Sequence, residues 1–173
     1  EITQNFNSLV VVDKIILVGN NYGEVLIYDG VYDIKKRSLS TEKNMDGVVR
    51  KIVDINDKVY VACQTGSFLM DKKTWIIKKR FELSKNASSK SALALNDSVL
   101  LLGNHSEVQV YNVKTEKIIA KRVKRVTALG LNQAKIIYIG SNDGLYRWDK
   151  DSLFYFGKKY RALSYRVNTI FNT

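Results

Sequence analysis

Residues Lys135 to Asp149 read K-I-I-Y-I-G-S-N-D-G-L-Y-R-W-D. The run Ile136 to Ile139 consists of β-branched and aromatic residues, which favour a strand. Asn142-Asp143-Gly144 supplies residues that tolerate the positive φ of a tight hairpin turn, and Leu145 to Trp148 begins a second strand. The stretch is therefore predicted to be a β-hairpin.

The same hairpin pattern occurs in three other places. Each first strand ends in a small residue, and these four anchor residues are Gly19, Ala62, Gly103 and Gly140. The anchors are 43, 41 and 37 residues apart. Nine or ten residues after each anchor, a short polar residue closes the next strand, at Asp29, Asp71, Asn112 and Asp149. The chain is therefore built from a repeat of about 40 residues.

Each repeat contains two more apolar runs. One precedes the hairpin, at Phe6 to Val12, Val48 to Ile55, Ala92 to Leu95 and Val126 to Leu131. The other follows it, around Ile34 and at Trp75 to Phe81, Val113 to Val123 and Leu153 to Tyr160. Four strands in about 40 residues is the period of a β-propeller blade. The fold class is therefore predicted to be all-β, a β-propeller of four-stranded antiparallel blades.

The repeat boundaries predict a single partial domain over residues 1–173, with blades at about 5–44, 45–88, 89–123 and 124–165. Arg166 to Phe171 resembles Arg125 to Leu129, so a fifth repeat is expected to start at 166–173. An open array leaves a blade face and a sheet edge in water. We therefore expect about four blades of a larger propeller, completed by its remaining blades or by a second copy, with Val167 and Ile170 exposed at the edge. The alternative is a closed ring of four blades, which leaves the terminal strand unexplained.

Ile136 to Asp149 resembles the repeat of the two-component regulator propellers. In that repeat an aromatic-rich strand ends in Ile-Gly, a polar turn ends in Gly-Leu, and an aromatic-Asp pair follows. The likeness extends to Ile15 to Asp29 and Val59 to Asp71, and Trp148-Asp149 is similar to the dipeptide of the WD-repeat propellers. The resemblance implies a non-enzymatic interaction scaffold, with the sensor or ligand-recognition part of a bacterial signalling protein as its specific role.

Composition excludes several classes of protein. The 45% hydrophobic and 26% charged content of these 173 residues is ordinary for a soluble domain. No apolar run approaches the roughly 20 residues of a membrane span, and Glu1 to Asn7 lacks the regions of a signal peptide. The compartment stays open between periplasm and cytoplasm. The single cysteine, Cys63, cannot form an internal disulfide and is expected to be a buried thiol.

The sequence predicts no enzyme, metal or cofactor site. The lone histidine, His105, lies in a predicted turn and is expected to be an exposed loop residue. No glycine-rich phosphate loop and no His/Asp/Glu cluster with ligand spacing is present. Because Asp29, Asp71 and Asp149 recur with the repeat, we expect them to accept hydrogen bonds from turn backbone.

The turns between the second and third strands of the blades are the predicted contact surface, because loops on a rigid scaffold commonly carry binding residues. The sequence predicts that they line one face together. The candidate binding residues are Asn20, Asn21, Tyr22, Gln64, Asn104, His105, Asn142 and Asp143.

Charge indicates a second surface. The formal net charge is +11, and basic residues cluster at one position of each repeat, the predicted outermost strand. This predicted basic rim contains Lys35, Lys36, Arg37, Lys78, Lys79, Arg80, Lys121, Arg122, Lys158 and Lys159, and Lys124-Arg125 adjoin it. Lysine on an edge strand guards against edge-to-edge pairing. Alternatively, the rim attracts an acidic partner, nucleic acid or an anionic membrane surface. For the function of the whole chain, the third alternative, beside an interaction scaffold and a propeller that binds through its basic rim, is an accessory subunit of a redox or other enzyme complex.

Overall fold

The structure is a computed structural model that describes residues 5–29, 33–35, 47–64, 66–81, 91–149 and 152–170, with residues 29 and 33–35 described for their backbone alone. The chain divides into two compact units, residues 1–89 and 90–173. Each unit holds two four-stranded antiparallel sheets whose strands are paired in chain order. This confirms the predicted all-β propeller repeat.

Unit 1 contains blades 1 and 2. The strands of blade 1 are β1 (Phe6–Val12), β2 (Ile15–Asn20), β3 (Val25–Asp29) and β4 (Asp33–Lys35). The strands of blade 2 are β5 (Val49–Ile55), β6 (Lys58–Cys63), β7 (Ser67–Asp71) and β8 (Ile77–Phe81).

Unit 2 contains blades 3 and 4. The strands of blade 3 are β9 (Ser91–Asn96), β10 (Val99–Gly103), β11 (Glu107–Asn112) and β12 (Ile118–Arg122). The strands of blade 4 are β13 (Val126–Leu131), β14 (Ile137–Ser141), β15 (Gly144–Asp149) and β16 (Ser152–Tyr155). The helical segments among the described residues are two 3₁₀ helices after β16, at Phe156–Lys158 and Arg161–Ser164. Among the described residues, no helix has the length and apolar composition that a membrane crossing requires.

The four anchor residues occupy equivalent places, as predicted. Each lies in the last two residues of the second strand of its blade and pairs with the start of the third strand, in the pairs Gly19–Val25, Ala62–Ser67, Gly103–Val108 and Gly140–Leu145. The first strands of blades 1, 2 and 4 also share a register irregularity at their second residue, at Asn7, Arg50 and Thr127. The repeat read from sequence is therefore a repeat of backbone register.

The fourth strands of blades 2, 3 and 4 are shorter than predicted, whereas β4 lies around Ile34 as expected. Trp75 lies in a turn with a φ of 57° and β8 begins only at Ile77. Val113 likewise belongs to a turn, and β12 begins at Ile118. The predicted run Leu153 to Tyr160 is wrong beyond Tyr155, because the chain there enters the 3₁₀ helices.

Neighbouring blades within a unit share one hydrophobic core. In unit 1, Leu17 and Ile27 of blade 1 pack with Ile52, Val61 and Phe68 of blade 2. In unit 2, Leu101 and Val108 of blade 3 pack with Ile139 and Trp148 of blade 4. Each blade therefore buries a face against its neighbour in the same unit.

The anchor glycines are the points of closest approach between blades. A Cβ built on Gly103 would lie 2.5 Å from Cγ1 of Val126, the first residue of β13, and a Cβ on Gly19 would be closer still to Val49, the first residue of β5. The side chain of that first residue therefore occupies the space that any larger anchor would need. This explains why the repeat requires a small residue there.

Candidate interaction surface

The turn that joins β2 to β3 is fixed by the side chain of Asn20. Its Oδ1 accepts hydrogen bonds from the backbone N–H groups of Tyr22 and Glu24, both at 2.9 Å, and its Nδ2 donates to Glu24 Oε2 at 2.7 Å. Gly23 follows with a φ of 80°. The turn is therefore locked by a buried amide, and the Tyr22 ring projects from it into solvent.

The β14–β15 turn of blade 4 is fixed in a similar way by Ser141. Its Oγ donates to the carbonyl of Gly144 at 3.1 Å and accepts from the N–H of Asp143 at 3.0 Å. The hydroxyl of Tyr155 donates to the Asp143 carbonyl at 2.6 Å. The Asp143 side chain is exposed, so this turn also presents a polar group on a fixed backbone.

The β10–β11 turn of blade 3 lies beside the turn of blade 4. The backbone of Arg125 links them, because its N–H donates to the His105 carbonyl at 2.6 Å and its carbonyl accepts from the Asn142 N–H at 3.3 Å. His105 and Asn142 are half-buried, and Arg125 is exposed. In unit 2, His105, Asn142, Asp143 and Arg125 therefore belong to one continuous surface.

Two candidate residues are corrected by their burial. The side chains of Asn20 and Asn104 are buried, which removes them from any partner's reach. Asn20 holds its own turn, whereas Nδ2 and Oδ1 of Asn104 have no hydrogen-bond partner. The sequence could not separate these roles, because asparagine favours turns both when it bonds the local backbone and when it faces solvent.

The other candidates differ in accessibility. Tyr22 and Gln64 in unit 1 and Asp143 in unit 2 are exposed, and Asn21 is half-buried. Arg125 was read from the sequence as part of a basic cluster and as the start of a blade's first strand, and not as a member of the contact surface. The sequence signal that could have found it is its position directly before the first strand of blade 4, which places it between the β10–β11 and β14–β15 turns.

The thiol of Cys63 is not a candidate nucleophile. It is buried beside the Gln64 turn, and its own N–H donates to the Gly66 carbonyl at 2.8 Å. Burial raises the pKa of the Cys63 thiol to about 12. The group is therefore protonated at neutral pH and chemically inert.

The predicted basic rim is present on the outer strands of blades 2 and 3. Lys78, Arg80 and Arg122 are exposed there, whereas Lys79 and Lys121 are half-buried, and Lys79 Nζ lies 5.7 Å from the ring centroid of Phe81. Lys35 ends β4, and Lys36 and Arg37 lie outside the described residues.

In blade 4 the predicted rim position is wrong. Lys158 ends a 3₁₀ helix and Lys159 follows it, so neither lies on a strand. Lys159 Nζ lies 5.2 Å from the ring centroid of Tyr160. Among the described residues, the predicted rim residues that lie on outer strands are therefore those of blades 2 and 3 and Lys35 of blade 1.

Within the part of the chain that the structure describes, His, Cys, Asp and Glu side chains do not form a group of three or more that could hold a metal ion. Of the acids that recur with the repeat, Asp71 holds a turn. Asp71 Oδ1 accepts from the N–H groups of Lys73 and Thr74 at 3.0 and 2.8 Å. The Asp149 carboxylate differs, since it lies 3.6 Å from the Arg147 guanidinium.

Comparison with solved structures agrees with this architecture. The chain is similar to the WD40 β-propeller domain of Doa1, with a TM-score of 0.64 and 11% identity over 84% of this chain. It is also similar to the extracellular domain of the one component system BT4673 from B. thetaiotaomicron, with a TM-score of 0.71 and 16% identity over 84% of this chain. The chain has a β-propeller fold. No protein-family model and no curated protein sequence matches it.

This propeller spans part of each relative. The matched region is 52% of the Doa1 domain and 20% of the BT4673 domain. At 11% and 16% identity, the likeness to these two structures is a likeness of fold. That fold is a scaffold of repeated blades that displays turns.

Proposed function

We propose that this propeller is a non-enzymatic recognition module, the sensor part of a bacterial signalling protein. The observation that carries the proposal is that buried side chains fix the turns while neighbouring side chains are exposed. The buried Asn20 and Ser141 side chains hold the turn backbone from within, while the adjacent Tyr22 and Asp143 side chains are displayed. A rigid scaffold that presents an aromatic ring and a carboxylate is suited to binding, because little entropy is lost on association.

The similarity to an extracellular domain supports the signalling role. BT4673 is described as a one component system, and the matched region belongs to its extracellular domain. A propeller in such a protein would recognise an external ligand or partner through its turns. The same role is proposed for the turns at Tyr22 and Gln64 in unit 1 and at His105 and Asp143 in unit 2.

The test compares displayed side chains with turn-holding side chains. A partner captured on the immobilised chain is titrated against wild type and against the double variant Tyr22→Ala, Asp143→Ala by surface plasmon resonance. We expect roughly tenfold weaker binding, about 1.4 kcal/mol, with the melting temperature within a few degrees of wild type. The matched control is Asn20→Ala, which should lower the melting temperature. Unchanged affinity in the double variant would remove the turns from the proposal.

A second candidate is binding to nucleic acid or an anionic membrane through the basic rim. It is favoured by the exposed Lys78, Arg80 and Arg122 on the outer strands and by the net charge of +11. Surface plasmon resonance also distinguishes binding through the basic rim from binding through the turns. Duplex DNA or anionic vesicles would bind with an affinity that falls steeply with salt, and that binding would be lost in Lys78→Glu, Arg80→Glu but kept in the turn variant.

A further inference from the structure

Blade 1 has an open sheet face. One face packs on blade 2, and the opposite face carries the exposed side chains of Phe6, Leu9, Val11 and Ile16. Phe6, Leu9 and Ile16 line a groove of about 480 Å³ on this face together with Val18 and Tyr28. Soluble proteins rarely leave several large apolar side chains together in water. We call this surface the open face of blade 1.

The equivalent residues of blade 2 are buried. The strand register aligns Leu9 with Ile52, and their exposed fractions are 65% and 2%. It also aligns Phe6 with Val49, and these are 56% and 0% exposed. In blade 2 these positions are covered by blade 1. The repeat therefore places a preceding blade over the open face.

In unit 2, the position equivalent to Phe6 is likewise covered by the preceding blade. Val126 of blade 4, at the position of Phe6, is fully buried and packs on Gly103 of blade 3. Both described blade pairs thus cover this position with a glycine anchor from the preceding blade. Phe6 holds the same position as Val49 and Val126, but among the described residues no anchor residue of a preceding blade covers it.

The environment of Gly140 disfavours a second copy of this chain as the partner that covers the open face of blade 1. Head-to-tail docking would place Phe6 of that copy on Gly140, the anchor of blade 4. Val167 is already there: its Cγ1 lies 2.9 Å from a Cβ built on Gly140, and its N–H donates to the Ser141 carbonyl at 3.0 Å. Val126 makes the corresponding hydrogen bond to the Asn104 carbonyl at 3.1 Å. Residue 167 therefore occupies the position of a next blade's first residue.

We propose that the open face of blade 1 is the docking surface of a further four-stranded propeller blade from outside these 173 residues. That blade presents an apolar face and carries glycine or alanine at the end of its second strand, where it receives Phe6. The Doa1 propeller domain is about twice as long as the region that this chain matches, which leaves room for such blades. This inference is independent of the proposed sensor role.

The experiment supplies a blade of the right kind. Residues 91–125, which comprise blade 3 and its connection to β13, are fused directly before Phe6 of the chain, in place of residues 1–5. Phe6 then follows Arg125 as Val126 does in the natural sequence. We expect the fusion to raise the unfolding midpoint by about 5 °C. Anilinonaphthalene sulfonate, a dye that reports exposed apolar surface, is used on the unfused chain, because the added blade brings an open face of its own into the fusion.

Matched variants assign the effect to the open face. Leu9→Asp should change the midpoint of the unfused chain by about 1 °C or less, because the side chain is exposed, yet abolish the gain in the fusion. Gly103→Val in the added blade should also abolish the gain. Ile76→Asp, at an exposed apolar residue in the β7–β8 turn of blade 2, should leave it intact.

Two results would overturn the proposal. One is a fusion whose unfolding midpoint equals that of the unfused chain. The other is an unfused chain that dimerises in light scattering and becomes monomeric on Leu9→Asp, which would make a second copy the occupant. A monomeric unfused chain that loses dye binding on Leu9→Asp is the result that the proposal requires.

Discussion

At the residue scale, Asp71 and Asn112 hold equivalent turns with different chemistry. Asp71 Oδ1 accepts from the N–H groups of Lys73 and Thr74, and Asn112 Oδ1 accepts from those of Lys114 and Thr115 at 2.9 and 3.0 Å. The hydrogen bond from the Thr74 backbone is the main reason that the pKa of Asp71 lies below its ordinary value of 3.8. The prediction that the repeat acids accept hydrogen bonds from turn backbone is confirmed for Asp71. Asn112 makes the same bonds although it was not among the predicted acids, and the Asp29 side chain lies outside the described part of the structure.

Replacing Asp71 by asparagine should therefore remove an acid sensitivity without breaking the turn. Because the folded pKa is lowered, the carboxylate stabilises the fold above its unfolded pKa, and this contribution is lost as the pH falls through the folded value. The unfolding midpoint of Asp71→Asn should fall less than that of wild type between about pH 6 and pH 2.5. Asp71→Ala is the control and should be less stable at both pH values. An equal acid loss in wild type and Asp71→Asn would contradict this account.

The burial of candidate residues could not be predicted at this scale. Asn20 and Tyr22 are two residues apart in one polar turn, yet one is buried and the other exposed. Sequence indicates that a turn exists, because asparagine and glycine allow its backbone. Which side chain points inwards depends on the register of the flanking strands, which the turn residues alone do not specify.

At the element scale, the first three strands of every blade were predicted, whereas the fourth strand was predicted too long in blades 2, 3 and 4. The apolar runs and the anchor spacing defined β1 and β13 at their observed ends. The runs beginning at Trp75 and Val113 were extended too far, because the turn after Asp71 and Asn112 was not recognised. Both turns have a residue with positive φ at their fifth position, Trp75 and Glu116. The apolar side chains of Trp75 and Val113 within these turns imitate the start of a strand.

The anchor residue offers the clearest test of packing between elements. Gly19→Ala places a methyl group against Val49, and such overpacking typically costs about 1–3 kcal/mol of unfolding free energy. Gly66→Ala is the matched control, since no atom lies within 4 Å of a Cβ built there. Urea unfolding of the two variants should show a large loss for Gly19 and little change for Gly66. Equal losses would mean that blade contact does not select the anchor.

At the scale of the whole molecule, one contact recurs at three places. Val49 packs on Gly19, Val126 on Gly103 and Val167 on Gly140. The expectation that Val167 and Ile170 are exposed is corrected, because both are half-buried. Apolar periodicity predicted the blades, whereas this docking could not be predicted because it depends on the distance between two strands far apart in sequence.

The measurement that tests the repeat most directly is the nuclear Overhauser effect between these three pairs in the isotopically labelled chain. The account predicts strong cross-peaks from the Hα protons of Gly19, Gly103 and Gly140 to the methyl groups of Val49, Val126 and Val167 respectively. Cross-peaks at the first two pairs together with none at Val167 would contradict the placement of residue 167 as a next blade's first residue. Absence of all three would contradict the propeller packing itself.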